Sequence, residues 1–231
     1  MLILYLSLVA SCFALFFALV LWIKTSPLKH ANNVLSLVLL VLAVHNVLDA
    51  FLYYAHHQAE HWLPHHWPLN NFLRMLVGPL FFWYVYVLLY GAKPVPQRML
   101  VLHALPVVPA LAHVVWFALL PTTERVHQLQ TNFTMNHRTD IALQVLFYFQ
   151  SVAYFAAGVW HLERRHKESP TLQTPLGTVP IAWLRPFVRS VLLLQVLSLG
   201  VCATQLNSRT NMLCTMISVD IEILGLLFAT V

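Results

Sequence analysis

Leu2-Ile3-Leu4-Tyr5-Leu6-Ser7-Leu8-Val9-Ala10-Ser11-Cys12-Phe13-Ala14-Leu15-Phe16-Phe17-Ala18-Leu19-Val20-Leu21-Trp22-Ile23 runs without a single Asp, Glu, Lys or Arg. Coiled as a helix at about 1.5 Å per residue it reaches about 33 Å, the depth of a bilayer's hydrocarbon layer. No basic segment precedes it and it is longer than the apolar part of a cleavable leader, so it reads as a spanning helix. Six further apolar stretches follow, at about 33–54, 69–90, 99–120, 140–160, 187–206 and 210–231. Each is a continuous apolar run rather than a short alternating one, which argues for helices and against barrel strands.

Composition agrees. Of the 231 residues 59% are apolar and 9% are Asp, Glu, Lys or Arg, where a water-soluble domain carries roughly 25% charged residues. The apolar share is close to what seven spans of ~20 residues need, and the mean hydropathy is +0.71. The expected fold is an all-α polytopic membrane protein, a seven-transmembrane-helix bundle forming a single transmembrane domain over 1–231, with lipid as its first partner. Cys12, Cys202 and Cys214 are too few for a disulfide scaffold.

The thirteen Lys and Arg set the orientation. With the N-terminus out, nine fall on the cytoplasmic side: Lys24, Lys29, Lys93, Arg98, Arg164, Arg165, Lys167, Arg185 and Arg189. Four (Arg74, Arg125, Arg138 and Arg209) fall outside. Loops rich in Lys and Arg stay in the cytoplasm, so the expectation is N-terminus out, C-terminus in, and a cytoplasmic loop at 161–186. Gly78-Pro79 in the third span and Pro106 in the fourth, with Pro109 behind it, are candidate kinks, because proline removes a backbone donor.

Several short motifs carry a resemblance. The second span opens Asn33-Val34-Leu35-Ser36-Leu37 and runs to Ala43-Val44-His45. The third contains Gly78-Pro79-Leu80-Phe81-Phe82-Trp83-Tyr84-Val85, the fourth opens Leu100-Val101-Leu102-His103-Ala104-Leu105-Pro106, and Trp183-Leu184-Arg185 leads into the sixth. Together they resemble the N-terminal multi-span membrane domain of AraC-type transcriptional regulators. The resemblance implies a sensory domain of a one-component regulator in a bacterial inner (cytoplasmic) membrane, acting as a homodimer on an unidentified small ligand, metal ion or proton. It also implies a cytoplasmic helix-turn-helix part, and none follows within these residues. The segment 161–186 holds Pro170, Pro175, Pro180 and Pro186 and supplies no recognition helix, so direct nucleic-acid binding by this chain is not expected.

Two sets of polar residues are candidates for function. The segment between the second and third spans holds His56, His57, Glu60, His61, His65 and His66. These are ligand types that suit Zn, Ni or Cu, and imidazoles that titrate in the range of an acidifying exterior. Inside the apolar stretches His45, Asp49, His103, His113, Asp220 and Glu222 are costly to bury, which makes them candidates for a polar pocket or relay. His45 and Asp49 stand four apart and face the same way on a helix, so the carboxylate is placed to accept an imidazole N–H. Gln144, Gln150 and Gln195 read as interhelical hydrogen-bonding groups.

No catalytic residue is assigned and an enzyme is not expected. Two other classes stay open. A histidine-based, metal-dependent membrane enzyme is one, since His61, His65 and His66 match one histidine box of hydroxylases; a hydrolase of the alkaline-ceramidase type lacks its late histidine pair here, because none follows His166. The other is a small transporter or proton path through Asp49, Asp220 and Glu222.

Overall fold

The computed structural model describes residues 2–26, 28–58, 67–91, 98, 101, 103, 105–125, 127, 138–168, 172–174, 177–179 and 184–205. They form α1 (Leu2–Ile23), α2 (Lys29–Gln58), α3 (Trp67–Tyr90), α4 (Val107–Leu119), α5 (Arg138–Glu168) and α6 (Leu184–Gln205). Between α5 and α6 lies a short antiparallel hairpin of β1 (Leu172–Thr174) and β2 (Gly177–Val179), with Leu172 opposite Val179 and Thr174 opposite Gly177. The chain is thus an essentially all-helical membrane protein. Among the described residues α1, α2, α3 and α5 are long and apolar enough to cross a bilayer. The stretch 210–231, with Asp220 and Glu222, lies outside the described residues.

Five of the seven apolar stretches are helical where they were expected, two of them with a difference in length, and of the fourth the shorter apolar helix α4 is seen. α2 and α5 overrun their apolar stretches, α5 by a further two turns through Glu163, Arg164, Arg165 and Lys167. Long charged residues are good helix formers, so a helix need not stop where the hydrocarbon layer does. In the fourth stretch Leu105 N–H bonds the Val101 carbonyl, Leu105 and Pro106 form a turn, and α4 starts at Val107 with Pro106 as its N-cap. Pro109 falls in the first turn of α4, where its missing N–H costs nothing.

α1 packs on α2 through small side chains. Ser7, Ala10, Ser11, Ala14 and Ala18 are buried, while Leu6, Val9, Phe13, Phe16, Leu19 and Trp22 are exposed on the opposite side as a lipid-facing band. Small residues let two backbones approach closely enough for polar atoms to meet. Ser36 Oγ donates to the Ala18 carbonyl at 2.6 Å, and Asn46 Nδ2 donates to the Ser7 carbonyl at 3.0 Å and to Ser11 Oγ at 3.2 Å.

α3 is central and contacts α2, α4 and α5, while α6 packs on α5. Phe81 of α3 meets Phe155 of α5 with ring centroids 4.5 Å apart, and Val188 of α6 rests beside Gly158 of α5. Paired contacts give the helix directions. Asn46 meets Ser7 and His45 meets Asn70, so α1, α2 and α3 alternate. Arg74 meets Tyr148 and Tyr90 meets His161, so α5 runs with α3, and α6 returns. Among the described residues Lys24, Lys29, Arg164, Arg165, Lys167 and Arg185 therefore gather at one end of the bundle, and Arg125 and Arg138 at the other. Arg74 belongs to neither set: it is buried on α3, a correction to its assignment among the outer cations.

Candidate functional site

The second helix has two polar faces. Asn46 turns to α1, while His45 and Asp49, one helical turn apart, turn to α3. There they meet Asn70, and Arg74 stands four residues further along α3. All four side chains are buried. Asn70 bridges the helices: its Nδ2 donates to Asp49 Oδ1, and its Oδ1 accepts from His45 Nδ1. His45 Nε2 faces the second carboxylate oxygen, Asp49 Oδ2, at 3.4 Å. The expected His45–Asp49 pairing on one face is therefore present, with Asn70 inserted as a third member.

Arg74 extends the cluster to α5. Its NH2 lies 3.4 Å from the Tyr148 hydroxyl, and its guanidinium carbon sits 4.3 Å from the centre of the Phe147 ring. A planar, delocalised cation suits such a place, since a ring face offers negative charge without demanding water. One acidic group, one guanidinium and one imidazole are thus withdrawn from solvent where three helices meet. Burying such charges is expensive unless they are paired and hydrogen-bonded.

Beside this cluster the third helix has lost a donor at Pro79. The carbonyl deprived of its partner is that of Met75, four residues back, and Gln150 Nε2 of α5 donates to it at 2.9 Å. Gln150 was expected only as a hydrogen-bonding group; its specific task is to satisfy the carbonyl that Pro79 leaves open. Gly78 has a different reason. A Cβ there would lie 2.9 Å from Cδ2 of Tyr154, so only glycine admits that ring against α3.

Tyr154 leads to a second, separate group. Its hydroxyl and His103 Nδ1 are 2.7 Å apart, and a turn or two along, Tyr90 Oη and His161 Nδ1 are 3.0 Å apart. Phe82 lies between them, with ring centroids 5.3 Å from His103 and 5.7 Å from His161. His103 is thereby placed on the far half of α3 from Asn70. His113 is buried on α4 and stacks on Trp116, with centroids 5.7 Å apart.

Among the described residues no three His, Cys, Asp or Glu side chains gather as a metal-holding group. The histidine-rich segment is not tested by that: Glu60, His61, His65 and His66 lie outside the described residues, and His56 and His57 are placed only as backbone at the end of α2. Sequence reasoning passed over Asn70, Arg74 and Tyr148. The signal for the first two is a polar pair four apart within the apolar stretch 69–90, which a count of cations by loop does not use.

No protein-family model, curated protein or solved structure matches this chain.

Proposed function

We propose that this chain is a sensory, signal-transducing membrane module of the kind AraC-type regulators carry, with its C-terminal end directed to a cytoplasmic output. The observation that carries the reading is the cluster of His45, Asp49, Asn70 and Arg74, completed by Tyr148. It ties α2, α3 and α5 together through ionisable groups in a low-dielectric setting. A change of charge or ligand there alters contacts among three helices at once, which is what a receiving element must do.

Three further features support it. The motifs around Gly78-Pro79, His103 and Trp183 resemble that regulator group. The gathering of cations at one end of the bundle agrees with an N-out, C-in arrangement in a bacterial inner membrane. At that same end Glu163 accepts from both Nε and NH2 of Arg185, at 3.0 and 2.7 Å, and from Arg189 at 2.7 Å. This two-pronged pairing couples α5 to α6, and α6 leads toward the final apolar stretch. A shift of α5 is thereby handed to the helices nearest the output.

Fusions at Val231 test the reading. A fluorescent protein that matures only in the cytoplasm should glow there, and a phosphatase active only outside should stay silent; the reverse pattern overturns it. With a DNA-binding domain appended at Val231, Asp49→Asn or His45→Gln should change a reporter gene's output several-fold at equal protein level. An unchanged output from both variants removes the cluster as the receiving element.

A further inference from the structure

We propose that the outward face of α5 holds an anionic phospholipid, its acyl chain along Phe149, Ala153, Ala156 and Trp160 and its phosphate at Arg164 and Lys167. These six residues are all exposed. They follow one another at steps of four, three, four, four and three, so they form one stripe along a single side of the helix. The other side of α5 is engaged in the bundle. Gln150 bonds α3, Tyr154 lies on Gly78, and Gly158 touches Val188 of α6.

The stripe has the dimensions of one lipid. From Phe149 to Trp160 it rises about 16 Å, close to half of the ~30 Å hydrocarbon layer and so the depth of one leaflet's chains. Phe149 and Trp160 are 68% and 55% exposed. Between them the two alanines project only methyl groups, which leaves a shallow furrow with a ring at each end. An acyl chain lying there gains dispersion contacts along its length. An indole belongs at the boundary between hydrocarbon and headgroups. With Trp160 at that boundary, Arg164 and Lys167 stand about 6 and 10 Å further out, among the headgroups.

Charge selects the headgroup. Over 160–189 there are five Lys or Arg and two Glu. Glu163 turns to α6 and is shared by Arg185 and Arg189, so its charge is met there. The guanidinium carbon of Arg164 lies 5.6 Å from the centre of the Trp160 ring, which keeps that cation over the indole at the top of the furrow. A guanidinium grips a phosphate through two parallel N–H groups, and an ammonium adds a point charge. A glycerol headgroup leaves the phosphate's negative charge uncompensated, whereas a choline headgroup brings its own cation to a positive place. A second copy of the chain fits the stripe less well. A two-fold pairing in the membrane would set Arg164 and Lys167 of both copies against each other at the same depth. The proposal goes beyond the sensory reading and does not depend on it.

The test is native mass spectrometry of the full chain taken from bilayers of equal phosphatidylglycerol and phosphatidylcholine. The chain should retain phosphatidylglycerol several-fold over phosphatidylcholine. Arg164→Gln with Lys167→Gln should lower that preference several-fold. Lys24→Gln with Lys29→Gln, the same loss of charge at the same end of the bundle, should leave it in place. Ala156→Phe fills the furrow without changing a charge and should lower the retained phosphatidylglycerol several-fold. Excess soluble glycerol phosphate should displace nothing. The proposal is overturned by a chain without preference, by equal loss from the two charge pairs, or by retention indifferent to Ala156→Phe. Displacement by glycerol phosphate would mean a bare phosphate site, and a lipid-free dimer broken by Ala156→Phe would mean that a second copy covers the stripe; both also overturn it. One arm needs no substitution: phosphatidylglycerol with a photoreactive acyl chain should cross-link mainly to α5 between Val145 and Trp160, and cross-links spread evenly over the helices count against the site.

Discussion

Asn70 shows how much one uncharged side chain can decide. Among the described residues it alone is bonded to both His45 and Asp49, and it joins α2 to α3 while doing so. Replacing it with a similarly sized apolar residue leaves two buried polar atoms without partners, which typically costs about 1–3 kcal/mol. Asn70→Leu should therefore lower the unfolding midpoint of the micellar protein well beyond the effect of Asn71→Leu at the neighbouring position. Equal effects would mean that the bridge contributes nothing. Arg74 makes a complementary point: the same residue type that marks a cytoplasmic loop when solvated becomes, when buried beside Phe147, part of the site.

Among the elements, α3 depends most on its neighbours. Pro79 would leave the Met75 carbonyl open in a lone helix, and α5 closes it with Gln150. This dependence can be measured by a double-substitution cycle. Gln150→Leu should destabilise the bundle by about 1 kcal/mol, in the range of interhelical hydrogen bonds in membranes. In a Pro79→Ala background, where α3 again has its own N–H at that position, the same substitution should cost close to nothing. An unchanged cost would show that Gln150 acts elsewhere. α1 is the contrasting case, since its small-residue face needs only a matching surface on α2 and its other face needs only lipid.

For the molecule as a whole, the alternating helix directions predict labelling from two sides. In a chain with Cys12, Cys202 and Cys214 replaced by serine, single cysteines at Lys24 and Lys167 should react with an impermeant thiol reagent from one side of sealed vesicles. Cysteines at Gln58 and Arg125 should react from the other. Labelling of Lys24 and Lys167 from opposite sides would contradict the helix pairing. The basic end also holds the Glu163–Arg185–Arg189 linkage, whose members are solvated enough that water and salt screen the pairing and keep it weak. Glu163→Gln should accordingly leave the fold intact.

The apolar, membrane-spanning character, the helical class and the places of five of the apolar stretches followed from the residues alone, because a backbone in lipid must satisfy its own hydrogen bonds and a helix does so whatever surrounds it. The facing of His45 and Asp49 also followed, from the period of the helix. Two things were decided only by the packed bundle: that Asn70 enters between them, and that Gln150 answers Pro79. Both require a second helix to arrive at a particular height and rotation, and apolar side chains facing equally apolar lipid impose neither. The polar atoms lock the register once the helices meet, so the site becomes visible only where the partners of those atoms are seen.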